Sequence, residues 1–224
     1  MKIYKSLALG ITLATIGAVV STASASDDVK FYVGGKIGAA VFDSDMRYQA
    51  VNDDKLGTGA ALELNPFVGM QINWNDSLAT KFEIEQFNIA TGEYEESESF
   101  QGEKLKEKYQ FVSSGLFANA YLNFLPNNFA SPFIGAGIGW SHNKLKAKLE
   151  EDVFDGHWTY SEDFSKNSFA WHADVGATLN VSQHLAVDLN LRYTDLGKIG
   201  KFYDTGKDID LSTVDFLAGV RYIF

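Results

Sequence analysis

Two small groupings of side chains could do chemistry. Ser141 stands beside His142, and His172 lies two residues before Asp174. A serine, a histidine and an acid suggest acyl-transfer hydrolysis, and histidine with carboxylate suggests a metal site. On an extended backbone, residues two apart share a face and adjacent residues face opposite sides. His172 and Asp174 therefore meet, whereas Ser141 and His142 cannot hydrogen-bond directly. With no cysteine in the chain, thiolate chemistry is excluded. The glycines of Gly135-Ala136-Gly137-Ile138-Gly139 and Gly34-Gly35-Lys36 do not lead into a helix, as a phosphate-cradling loop would. No catalytic, metal or cofactor site is expected, and His172 reads as one member of a larger polar set.

The elements that must position that set are visible in a period of two. From Ser212 to Phe224, the alternates Val214, Phe216, Ala218, Val220, Tyr222 and Phe224 are apolar, while Asp215 and Arg221 occupy the other register. Seven further segments repeat this pattern: Phe31 to Val41, Leu62 to Trp74, Leu78 to Ile84, Val112 to Phe124, Pro132 to Trp140, Phe169 to Val181, and Leu185 to Tyr193. Their apolar registers hold no charged residue. The opposite registers hold Lys36, Glu63, Lys81, Glu83, Glu85, Asp174, Asp188, Arg192, Asp215 and Arg221. A soluble barrel places charge outside; complete exclusion from the apolar face is what lipid imposes, because Arg or Lys there costs about 2–4 kcal/mol at the bilayer midplane. The pattern predicts an all-β, eight-stranded, antiparallel up-and-down transmembrane barrel. An eight-stranded interior is just wide enough for side chains to fill. The ten charges and His172 should then pair within the lumen.

Connection lengths give the barrel two distinct ends. Asn75-Asp76-Ser77, Leu125 to Ser131 and Ser182-Gln183-His184 are short. Asp43 to Ala61, Asn88 to Gln110, Asn143 to Ser168 and Thr194 to Leu211 are long and polar. Short periplasmic turns and long extracellular loops are the expected arrangement. Phe31, Trp74, Phe124, Tyr222 and Phe224 then form a periplasmic aromatic girdle, and Trp140, Phe169, Trp171 and Tyr193 an outer one. At the start, Lys2 and Lys5, the apolar run Leu7 to Val20 and Ala23-Ser24-Ala25 read as a secretory signal peptide over residues 1–25, with the barrel domain over 26–224. Its removal leaves 17 basic and 29 acidic residues, a net charge of −12, which argues against nucleic acid as a partner.

Taken together, Phe31 to Gly38 (FYVGGKIG), Pro132 to Trp140 (PFIGAGIGW) and the closing Gly219 to Phe224 (GVRYIF) resemble the small eight-stranded bacterial outer-membrane barrels, the opacity-like and outer-membrane-protein-A-like surface proteins. The resemblance covers essentially Asp27 to Phe224 and implies residence in the bacterial outer membrane. It also implies that Tyr222 and Phe224 act as the assembly signal for the barrel-insertion machinery. Some relatives hydrolyse lipid A with a serine, a histidine and an acid; Ser141 and His142 would be the candidates here.

The leading functional reading is a structural surface protein whose loops adhere to host or other extracellular macromolecules. Phe100, Phe154, Trp158, Tyr160, Phe164, Phe202 and Tyr203 are its contact candidates, since aromatic side chains are enriched at interaction hot spots. A narrow gated channel for ions or small solutes is the alternative, and a lipid-A-modifying enzyme the third. Outer-membrane lipid and lipopolysaccharide are the expected surroundings.

Overall fold

A computed structural model describes residues 28–43, 60–90, 94–100, 103–153, 156–199 and 209–224. The signal-peptide segment expected over residues 1–25 lies outside them. Nine strands run in order: β1 (Val29–Asp43), β2 (Ala60–Asn75), β3 (Leu78–Ala90), β4 (Tyr94–Phe100), β5 (Glu103–Phe124), β6 (Ala130–Val153), β7 (Gly156–Asn180), β8 (Leu185–Ile199) and β9 (Ile209–Ile223). Both β3 and β4 pair with β5, so β4 prolongs the stave that β3 begins. Every neighbour is antiparallel, and β1 pairs with β2 on one side and β9 on the other. Eight staves therefore close into a barrel, and closure satisfies the backbone groups that an open edge would leave bare in lipid.

The two faces separate as the alternation predicts. Ile37, Phe82, Ile84, Leu116, Ile134, Ile138, Val175, Leu189, Phe216 and Val220 are exposed on the outer wall, while Lys36, Glu63, Glu85, Asp174, Arg192 and Arg221 are buried inside. Trp140, 72% exposed, and Phe169 stand directly opposite one another at the outer end; Trp74, Phe129, Tyr222 and Phe224 ring the other. The short turns interlock: Asn127 Nδ2 donates to Asp76 Oδ1 at 3.1 Å, and Asn180 Nδ2 to the carbonyls of Pro126 and Asn128 at 3.1 and 2.7 Å.

The structure differs from the sequence reading at the outer end. Most of Asn88 to Gln110 and Asn143 to Ser168, read as loops, is strand: β5, β6 and β7 continue as a paired sheet. Apolar periodicity cannot reveal a strand solvated on both faces. The register sets Lys104 opposite Asp152, Lys106 opposite Glu150, Lys146 opposite Asp163 and Lys108 opposite Lys148. Opposite charges across a strand pair are favourable. Strand β8 likewise runs past Thr194, through a bulge at Asp195 and Gly197. Gly197 takes φ +73°, its N–H held by Asp195 Oδ1 at 2.7 Å; Leu196, the unpaired residue of the bulge, keeps the inward register of Arg192 and Thr194.

Interior packing relies on glycine where a ring lies against the wall. A Cβ on Gly135 would meet only ring atoms of Tyr121, within 3.0 Å, and one on Gly176 would meet Phe133 Cζ at 2.6 Å. Gly135→Val is expected to destabilise the folded barrel by about 1–3 kcal/mol through overpacking, read from its urea midpoint in lipid vesicles.

Candidate functional site

The closed sheet directs one register of every stave into a lumen, where the inward charges find each other across the barrel. Glu85 on β3 is the hub. Its Oε1 accepts from Arg192 Nη1 at 2.6 Å and Asn65 Nδ2 at 2.9 Å; its Oε2 accepts from Lys36 Nζ at 2.6 Å and Asn119 Nδ2 at 3.0 Å. Arg192 Nε donates onward to Asp174 Oδ1 at 2.8 Å, and Lys36 Nζ to Glu83 Oε2 at 3.0 Å, whose Oε1 takes the Tyr32 hydroxyl at 3.0 Å. His172 is wedged against the edge of Phe117. Its Nε2 lies 2.9 Å from Asn119 Oδ1 and its Nδ1 3.2 Å from Asp174 Oδ1. Asn119 already donates to Glu85, so Oδ1 is the acceptor and Nε2 the donor.

Toward the periplasmic end, Asp188 accepts from the Thr178 hydroxyl at 2.5 Å and lies 3.7 Å from Lys81 Nζ and 3.6 Å from Arg221 Nε. Toward the outer end, Glu63 accepts from Asn65 and Asp215 from Thr194, each at 2.5 Å, and neither forms an ion pair among the described residues. The structure thus places Lys36, Glu63, Lys81, Glu83, Glu85, His172, Asp174, Asp188, Arg192, Asp215 and Arg221 in one lumen. Tyr32, Asn65, Asn119, Tyr121, Thr178 and Thr194 complete the wiring; the signal that finds these uncharged members is the same inward register.

Above the polar layer lies an apolar one that the sequence reading missed. Ala40, Ala61, Phe87, Ile89, Phe111, Phe117, Ala170, Leu196 and Leu211 form a buried cluster, with Phe87 stacked on Phe117 at 4.6 Å and Phe42 packed against it. Its trace in the sequence is Phe87 and Ile89 continuing the register of Glu83 and Glu85. This cluster lies on the outer side of the charged interior, alongside the buried Ser113, Ser141, Asn143 and Thr213.

The serine and histidine singled out by type do not combine. Ser141 faces inward and donates to the Leu196 carbonyl at 2.6 Å; His142 is on the other face, its Nδ1 2.6 Å from Asn167 Oδ1. At the closing strand, Tyr222 and Phe224 are exposed, their rings edge to face at 5.3 Å, and the Phe224 N–H donates to the Phe31 carbonyl at 2.9 Å. Among the loop candidates, Phe100 lies on β4 and Trp158, Tyr160 and Phe164 on β7, opposite Glu103, Glu151, Leu149 and Leu145 respectively. Phe154, Phe202 and Tyr203 fall outside the described residues.

Comparison with known proteins agrees with this architecture. Residues 10–224 match the model of the outer membrane protein beta-barrel domain, and the chain belongs to that family. It is 31% identical over 126 residues to the outer membrane protein PagN of Salmonella typhimurium, a match covering 52% of each chain, so it spans about half the length of that relative. Neisserial surface protein A has a crystal structure similar in fold, with a TM-score of 0.51 at 18% identity, covering 87% of this chain and 97% of that one. The chain is a bacterial outer-membrane β-barrel.

Removing the hub carboxylate leaves two buried cations short of a partner. Glu85→Ala is expected to cost about 3–5 kcal/mol of folding stability, measured by urea titration of the lipid-inserted barrel. A loss near zero would mean that Lys36 and Arg192 do not depend on it.

Proposed function

Starting from that family membership, we propose that this barrel is a non-conducting surface protein that adheres to extracellular macromolecules through its outer strands, with no catalytic role. The observation that supports this reading is the contrast between the two ends of one wall. The lumen is filled by a hydrogen-bonded network of charged and polar side chains, with the Phe87–Phe117 cluster on its outer side. Beyond Trp140, however, β6 continues from Ser141 to Val153, paired with β7 over that whole length and with β5 as far as Asp152. At about 3.3 Å per residue, that extension is roughly 40 Å of strand standing outside the aromatic girdle. Pairing fixes the backbone of these strands, so less chain is left to order when a partner binds and the entropic cost falls. Trp158 and Tyr160 belong to this projecting sheet, which makes them the contact residues of the proposal.

The enzymatic alternative needs a base at Ser141, whose hydroxyl instead engages a carbonyl. The channel alternative needs a continuous polar path of some width, and the buried apolar cluster beside Ser113, Ser141 and Asn143 weighs against one. By the same reading the outer wall meets lipid and lipopolysaccharide, and Tyr222 and Phe224 serve the insertion machinery. Removal of Phe224 should then lower the fraction of heat-modifiable barrel recovered in outer-membrane fractions.

The register offers a clean excision, since Leu145 lies directly opposite Phe164. Replacing residues 145–164 by a two-residue turn should keep heat-modifiable folding while abolishing attachment of expressing bacteria to host cells or matrix. Retained attachment would overturn the adhesive reading. In planar bilayers the intact barrel should give no steady conductance, and large stable currents would overturn the sealed lumen.

A further inference from the structure

The periplasmic half of the lumen has a local charge imbalance with defined geometry. Lys81 and Arg221 share a single carboxylate, that of Asp188, and neither reaches it closely: the separations are 3.7 and 3.6 Å. Both also share the Thr178 hydroxyl, with Arg221 Nη2 at 3.3 Å and Lys81 Nζ at 3.5 Å. The remaining neighbours of the two cations are aromatic faces. Lys81 Nζ lies 4.5 Å from the Phe133 centroid and 5.1 Å from that of Tyr121, and the Arg221 guanidinium carbon lies 5.1 Å from that of Tyr32. The next acid along β3, Glu83, is engaged by Lys36 and Tyr32.

Arg221 is 1% exposed, yet its Nε and Nη1 have no hydrogen-bond partner among the described residues; Nε lies 3.6 Å from Asp188 Oδ2, itself without one, and Nη1 is left with none. A buried, charged donor left unmet is unfavourable. Ring faces attract the charge but do not replace a directional acceptor. We propose that this half of the lumen binds one small inorganic anion of the halide class, held between Arg221 and Lys81. A monatomic anion accepts from several donors without regard to direction, as two differently shaped cations require. Its size also suits an eight-stranded interior already filled by side chains.

The experiment is a bromide soak of crystals of the whole barrel, with data collected at the bromine edge. An anomalous peak within hydrogen-bonding reach of Arg221 Nε or Nη1 and Lys81 Nζ is expected. The peak should disappear in Lys81→Met and remain in Glu63→Gln, which alters the lumen at its other end. In vesicles, exchanging gluconate for chloride at constant ionic strength should raise the urea midpoint of the wild type and leave that of Lys81→Met unchanged. Arg221→Met replaces Lys81→Met should the latter fail to fold. Water alone at Arg221 in bromide-soaked crystals, or an equal chloride effect in wild type and variant, overturns the proposal.

Discussion

Lipid does not tolerate charge, and that intolerance organises the molecule. A pleated strand has two faces, so a residue excluded from one must appear on the other. Lys36, Arg192 and Arg221 lie on membrane-spanning strands yet are buried because the opposite face belongs to hydrocarbon. Once inside, they are too costly to leave alone. The outcome is a network in which Glu85 gathers donors from β1, β2, β5 and β8, tying staves that are distant in sequence. The network is a consequence of the wall's chemistry as much as a design of its own.

How much of this could be read beforehand follows from where that constraint operates. Within the lipid band it is strict, and residues such as Ile138, Asp188 and Val220 declare their faces by type. Outside the band it lapses. The sequence from Glu93 to Glu107 has no apolar alternate, and nothing there distinguishes a solvated strand from a loop; only pairing with a neighbour does so. Inside the barrel the register locates each member but not its partner. That Glu85 rather than Glu63 receives Arg192 depends on the stagger of the staves, which no single strand contains. The inward phenylalanines Phe87 and Phe117 were not legible as a pair, since their stacking appears only when the pairing of β3 with β5 sets them side by side.

The layered lumen unites two requirements that pull in different directions. Charges in a low-dielectric interior interact strongly and need every partner satisfied. An apolar layer above them keeps external solvent from competing for those partners. The bulge in β8 contributes to both, because Leu196 has no partner in the ladder there: its side chain joins the apolar cluster while its carbonyl takes hydrogen bonds from Ser141 and Asn143. Small residues such as Ala40, Ala61 and Ala170 let the large rings meet across the axis.

The continuation of β5, β6 and β7 past the membrane has an evolutionary corollary. A free loop can change length by any amount, but a stave cannot. One inserted residue in a single arm would exchange the faces of all that follow it up to the tip. Viable length variants should therefore arrive as matched additions to both arms of a hairpin, in even steps, lengthening the projection while leaving its pattern of faces intact.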